Sequence, residues 1–144
     1  MRDAERYEFD NKVEGRIASL VEALNECEYT RTFGSCQGHF GFEEPEPFNK
    51  KAYVEFRMPR DKFREIEQII YQSISVNDCQ VEFDDYLPND AYFYGSLYII
   101  PGRNLEYKEQ RKVADEMINE IARIIKRWRG NYPSANFSLE GRGA

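Results

Sequence analysis

The stretch Gln80-Val81-Glu82-Phe83-Asp84-Asp85-Tyr86-Leu87-Pro88-Asn89-Asp90-Ala91-Tyr92-Phe93-Tyr94-Gly95-Ser96-Leu97-Tyr98-Ile99-Ile100 decides the fold. Over Gln80–Tyr86, Val81 and Phe83 alternate with Glu82 and Asp84, the period-two signature of a strand with one buried face. Leu87-Pro88-Asn89-Asp90 reads as a turn. Ala91–Ile100 then sets Phe93, Leu97 and Ile99 against Tyr92, Tyr94, Ser96 and Tyr98, so one face is aliphatic and the other rich in tyrosine. Two strands joined by so short a turn form a hairpin and hence an antiparallel sheet.

The flanking segments supply the layer that covers the aliphatic face. Downstream, Leu105–Trp128 carries Val113, Met117, Ile118, Ile121, Ile124, Ile125 and Trp128 at helical spacing, with Glu106 and Glu109 early and Arg123, Lys126 and Arg127 late, as the helix dipole favours. Upstream, Arg60–Ser73 places Phe63, Ile66, Ile69 and Ile70 on one helical stripe. Before it, Ala52–Met58 alternates as a half-buried strand that ends at Pro59. Val13–Leu24 repeats Val13, Ile17, Leu20, Val21 and Leu24 as an amphipathic helix, with Asn11 and Glu14 resembling a capping box. Glu26–Phe33 is expected to be extended and to end at Gly34, delivering Ser35 to the end of a strand. The glycine, proline and acidic content of Gly34–Asn49, including Glu43-Glu44-Pro45-Glu46-Pro47, reads as an exposed loop. Residues 130–144 read as a flexible tail or a short edge strand through Phe137 and Leu139. The expected architecture is a single α+β domain, residues 1–144, with about three helices on a mostly antiparallel sheet in the order α-β-β-α-β-β-α.

Composition narrows the class of protein. A chain of 144 residues matches one domain with one core. Its hydrophobic content of 41% against 32% charged residues is that of a folded protein rather than a disordered one. A formal net charge of −6 argues against non-specific nucleic-acid binding, which ordinarily uses a basic face. No apolar stretch follows Met1-Arg2-Asp3-Ala4-Glu5-Arg6, and no segment reaches membrane-spanning length, so the expectation is a cytoplasmic protein with no membrane association. The three cysteines, Cys27, Cys36 and Cys79, make no even disulfide framework and are expected to be reduced.

Chemistry concentrates in Ser35-Cys36-Gln37-Gly38-His39, which combines a hydroxyl, a thiol, a permissive glycine and the one histidine of the chain. Such a turn presents backbone N–H groups to an anion or carboxylate beside a histidine near its switching range. The simpler reading makes Gly34 and Gly38 a tight turn, Cys36 a small buried hydrophobe and His39 a polar loop residue. A nucleophilic dyad would need Cys36 within reach of His39 and an orienting carboxylate from Glu43, Glu44 or Glu55. Zinc would need Cys27 and Cys79 to converge on Cys36 and His39, and no second closely spaced Cys/His pair exists, so no metal site is expected. The ligand-binding candidates are Ser35, Cys36, Gly38 and His39.

Helix Val13–Leu24, the run Tyr29-Thr30-Arg31-Thr32-Phe33-Gly34-Ser35-Cys36-Gln37-Gly38-His39 and strand Ala52–Phe56 together resemble the opening of the wybutosine-synthesis methyltransferase family. The shared pattern is a helix, a Thr/Ser-rich strand ending in Ser-Cys-x-Gly, and a further strand. The resemblance implies S-adenosylmethionine as cofactor and methylation of a modified guanosine in tRNA, with Ser35, Cys36 and Gly38 as the matching loop positions. It covers about the first third of the chain, and His39 stands where the family typically has arginine. The same run also resembles small bacterial and phage proteins carrying Ser-Cys-x-Gly-His, for which no function is implied.

A second candidate surface comes from Tyr92, Tyr94 and Tyr98, with Tyr53 beside them if the strands are neighbours. These rings suit stacking on bases or a flat ligand, or else a protein contact. The bland expectation is that a helix or the tail covers them. The basic groups Lys50, Lys51, Arg57, Arg60, Arg64, Lys126, Arg127 and Arg129 are expected to act as solvated charges with local ion pairs. Two functions follow: a small ligand- or nucleotide-binding domain with its pocket at the Ser-Cys-x-Gly-His turn, or a protein-interaction or homo-oligomerising module built on the tyrosine face.

Overall fold

The computed structural model describes residues 14–40 and 51–131. Numbered in chain order, the elements are α1 (Ala18–Asn25), β1 (Arg31–Cys36), β2 (Ala52–Pro59), α2 (Arg60–Ser73), β3 (Cys79–Asp85), β4 (Tyr92–Pro101) and α3 (Tyr107–Asn131). The fold is α+β, with the order α-β-β-α-β-β-α and a four-stranded antiparallel sheet arranged β1-β2-β4-β3. The acidic run at 43–47, the capping residue Asn11 and the tail strand through Phe137 and Leu139 lie outside the described residues.

All three described helices lie on one face. Ala52, Val54, Phe56 and Met58 of β2 and Phe93, Leu97 and Ile99 of β4 are buried against Leu20 and Leu24 of α1, Phe63, Ile66 and Ile70 of α2, and Met117, Ile118, Ile121 and Ile125 of α3. The periodicities therefore mark the right faces, because burying apolar area is the main favourable contribution available to each amphipathic element. Four phenylalanines form the densest part of this core. Phe93 stacks on Phe63 at 3.8 Å between ring centroids, and Phe56 and Phe83 pack around the pair.

Three boundaries differ from the sequence-based expectation, each for a local reason. Val13, where the periodicity begins, lies outside the described residues, and helix α1 starts at Ala18. Before it, Ile17 N–H donates to the Glu14 carbonyl and Ala18 N–H to the Gly15 carbonyl, tight i to i+3 turns beside a poor helix former. Strand β1 starts at Arg31 rather than Glu26, because Glu26 closes α1 and Thr30 N–H turns back to the Cys27 carbonyl. Tyr29 sits there with φ 58°, in the left-handed region. Strand β1 also runs on past Gly34 to Cys36, through a bulge. Thr32 pairs with Phe56 and Gly34 with Glu55, so Phe33 is the extra residue between them.

Arg60 departs most from its expected role. Instead of a solvated charge it is 8% exposed, and its guanidinium binds the Asn89 and Tyr92 carbonyls and the Asp85 carboxylate. The side chain ties the start of α2 to the β3–β4 turn.

Gly95 lies in the middle of β4, opposite Phe56 on β2 and Asp85 on β3. A Cβ at this position would fall 1.8 Å from the Asp84 carbonyl oxygen, a clash with backbone that side-chain rotation cannot relieve. Gly95→Ala is expected to lower unfolding stability by about 3 kcal/mol. Urea denaturation followed by circular dichroism checks this, and an unchanged midpoint would contradict the close approach.

Candidate functional site

Antiparallel register decides which side chains share a face, since residues directly opposite each other point the same way. Ser35 pairs with Val54, which is fully buried beneath the helices, whereas Cys36 pairs with Tyr53 on the other face. The adjacent hydroxyl and thiol, the two reactive groups of the turn, are therefore directed to opposite sides of the sheet.

The rest of the turn is clamped to the helical layer. Gln37 N–H donates to Glu14 Oε1 at 2.7 Å, and Gln37 Oε1 accepts from Arg16 N–H at 2.9 Å. Gly38 N–H donates to Cys36 Sγ at 3.4 Å. Arg111 of α3 reaches the Gln37 and Gly38 carbonyls at 2.6 and 3.0 Å, pairs with Asp115, and lies over the Phe40 ring. Burial lowers the Arg111 pKa from its ordinary value, and Asp115 opposes that shift. Of the turn's backbone N–H groups, which were expected to face an anion, those of Gln37 and Gly38 already have acceptors within the chain. Gly38 has φ 94°, a conformation that favours glycine, and a Cβ there would meet the Phe40 ring at 2.6 Å, so that ring would have to shift. His39 follows as a partly buried residue between Gly38 and Phe40.

The face of the sheet away from the helices, open in that no described helix covers it, gathers the more unusual chemistry. Across β1-β2-β4-β3 one row reads Gly34, Glu55, Ser96, Asp84, and the next reads Cys36, Tyr53, Tyr98, Glu82. On the other side of Glu55, Arg57 pairs with Tyr94, whose carbonyl accepts the Tyr86 N–H. The Tyr94 ring takes Phe33 and Tyr86 edge to face, at 5.5 and 5.4 Å, and Tyr53 lies 6.2 Å from Tyr98. The Phe33 bulge is what brings that ring onto Tyr94. At the centre, the Ser96 and Tyr86 hydroxyls are hydrogen-bonded, and the Glu55 carboxylate is near enough to raise the Tyr86 pKa. Gly34 leaves room beside that carboxylate, with its notional Cβ 3.4 Å from Glu55 Oε1.

Burial pushes the Tyr86 phenol up to about 12, with the Glu55 charge adding to the shift and the Ser96 hydrogen bond opposing it. Burial likewise raises Tyr53, helped by Cys36 and Glu55. Both phenols are therefore neutral at physiological pH. No protein family, curated protein or solved structure matches this chain.

Among the sequence candidates, then, Cys36 joins Tyr53, Tyr94 and Tyr98 on the open face, while Gly38 belongs to the clamp and Ser35 to the helix side. Tyr92 stands at the rim, 40% exposed, beneath the Arg57 guanidinium. Glu55, Tyr86, Ser96 and Phe33 were not singled out as one cluster by the sequence. The available signal was Glu55 sharing the polar half of its strand with Tyr53, but their partners depend on the β2–β4 register. No group of three His, Cys, Asp or Glu side chains among the described residues is arranged to hold a metal ion. No described helix is long and apolar enough to cross a membrane.

None of the three cysteines is in a disulfide, and their surroundings differ. Burial pushes Cys27 up to about 11 and Cys79 up to about 12. A thiol whose folded pKa is raised favours the folded state below its unfolded pKa, and that advantage is lost as pH rises toward the folded value. Stability is therefore expected to fall between about pH 9 and pH 12. Iodoacetamide at pH 8 is expected to alkylate Cys27 and Cys79 far more slowly in folded than in urea-unfolded protein. Peptide mass mapping reads this, and equal rates would contradict the burial.

Proposed function

We propose that the protein is a small ligand-binding domain whose binding surface is the open sheet face, with Tyr53, Tyr94 and Tyr98 as walls and the Glu55–Tyr86–Ser96 cluster as floor. The observation that carries this reading is the gathering of aromatic rings, the Tyr86–Ser96 hydrogen bond and the Glu55 carboxylate on the face away from the helices. A sheet used only as a backing for helices has no need of such an arrangement. Cys36 joins this surface, so one of the four turn residues singled out by the sequence serves the same site. Nucleotides and S-adenosylmethionine remain the first ligands to try, each offering a flat base for the rings. Methyl transfer and action on tRNA are not part of the proposal.

Thermal-shift screening against S-adenosylmethionine, nucleotides and divalent metals tests it, because a ligand that binds the native state raises its stability. A shift lost in Tyr98→Ala and kept in His39→Ala supports the open face. The opposite pattern moves the site to the turn. A second copy of the chain is the competing occupant, and sedimentation showing a mass that rises with concentration and falls back in Tyr98→Ala would favour it.

A further inference from the structure

The outer strands β1 and β3 each have one side with no strand beside it among the described residues, and the two edges are finished differently. On β1, the Asn25 side chain accepts the Thr32 N–H at 3.0 Å and donates to the Thr32 hydroxyl at 2.9 Å, so the end of α1 occupies that edge at Thr32. On β3, three hydrogen bonds give the backbone direction. The Asp78 carbonyl accepts from Gly102 N–H, and Tyr86 N–H donates to the Tyr94 carbonyl, which turns the even-numbered residues toward β4. The Val81 carbonyl instead accepts the Tyr71 hydroxyl at 3.3 Å, so Val81 and Phe83 present their backbone groups outward. Among the described residues, the Val81 N–H and both backbone groups of Phe83 have no partner.

The charge along this edge is of one sign. Gln80, Glu82 and Asp84 are exposed on the open face, while Val81 and Phe83 lie on the helix side, where Tyr71, 49% exposed, meets Phe83 edge to face at 5.8 Å. Burial raises the Tyr71 phenol above its ordinary value, and the charges of Glu67 and Glu82 add to the shift, so both carboxylates lie beside this ring. Among the described residues, Glu67, Glu82 and Asp84 form no ion pair. Strand β3 itself contains no basic residue.

We propose that the outer edge of β3 docks an extended segment of a partner protein, in which basic and apolar residues alternate, as a further antiparallel strand of the sheet. Each pairing in the sheet is already antiparallel, and in that arrangement residues directly opposite share a face. The apolar residues of the segment then stand opposite Val81 and Phe83 and give their outward backbone groups a ladder, while the basic ones stand beside Glu82 and Asp84. A second copy of β3 is a poor occupant, because it would set these carboxylates against the same acidic side chains. The edge is separate from the tyrosine rings of the open face, and the two readings stand or fall independently.

The test titrates isotope-labelled protein with a capped peptide as long as β3 that alternates lysine with valine, read by amide chemical shifts and hydrogen exchange. Parallel titrations use the peptide with glutamate for lysine, one of the same composition with its lysines in a single block, and two backbone-methylated forms, at the valines or at the lysines. Saturable shifts along β3 and slowed exchange at the Val81 and Phe83 amides are expected. Binding should weaken roughly tenfold or more for the glutamate peptide, for the valine-methylated peptide and for the Glu82→Lys, Asp84→Lys double variant, and survive methylation at the lysines. Both substituted positions are exposed, and the variant's own spectrum verifies that its fold is intact.

Equal binding of the block peptide without slowed exchange reduces the contact to diffuse charge and overturns strand addition. Slowed exchange with equal affinity for the lysine and glutamate peptides overturns the basic partner. Shifts confined to β1 or to the tyrosine rings overturn the location. Binding by none of the peptides overturns the docking site, and the carboxylates then serve only to keep copies of the chain apart.

Discussion

Arg60→Ala is expected to reduce the free energy of unfolding by about 4 kcal/mol, measured by urea denaturation. The Arg60 guanidinium binds Asp85 Oδ2 at 2.8 Å and the Asn89 and Tyr92 carbonyls at 2.9 Å each. Removing it leaves two carbonyls and a carboxylate without their partner. Asp85 is sensitive to this loss, since its Oδ1 is already buried with no hydrogen-bond partner among the described residues. Most of the effect should therefore come from the stranded charge rather than from the lost attraction. Adding Asp85→Asn to the Arg60→Ala protein should recover about 1 kcal/mol or more, whereas Asp85→Asn alone should destabilise. An additive double mutant would mean the two groups do not act as a pair.

Phe93→Ala is expected to have a comparable effect, about 4 kcal/mol, for a different physical reason. Phe93 is fully buried and lies parallel to Phe63, with an interplanar angle of 6°. Phe56 and Phe83 close around it at 4.9 and 6.2 Å. The other rings belong to β2, α2 and β3, so three elements meet on this one side chain. Truncation removes apolar area and leaves a cavity that stiff neighbours cannot fill. A fall in melting temperature of about 15 °C should accompany it, and calorimetry measures that directly. Phe93→Leu should lose less, because it keeps much of the volume.

Periodicity revealed the elements that bury a face. The alternation in Ala52–Met58 and Ala91–Ile100 and the stripe on Leu105–Trp128 correspond to β2, β4 and α3, since burial repeats with the geometry of the element. It failed over Glu26–Gly34, where β-formers such as Tyr29 and Thr30 sit in a turn made by backbone hydrogen bonding at the end of α1. Local preference does not register such a turn. Arg60 escaped for a related reason: its carbonyl partners are distant in sequence, and a basic residue at the start of a helix looks solvent-facing until the chain folds over it.

The candidate site was legible in its parts and not in its assembly. Tyr92, Tyr94 and Tyr98 declared a face through their spacing, and Ser-Cys-x-Gly-His drew attention by its residue types. Only strand pairing shows that Cys36 lies beside Tyr53 while Ser35 lies beside Val54. Register depends on contacts between β1 and β2 that no single segment encodes.

The bulge in β1 carries a further consequence, for changes in chain length. Before it the paired residue numbers sum to 88 and after it to 89, as in Thr32 with Phe56 and Gly34 with Glu55. Deleting Phe33 would bring the two halves into one uninterrupted ladder, leaving every other residue of the strand opposite its present partner and on its present side. A one-residue deletion within a strand ordinarily turns its far half over; here it would excise a single ring. The strand thus holds a point at which the chain can be shortened by one residue, at the loss of one aromatic contact to Tyr94, without rebuilding the sheet.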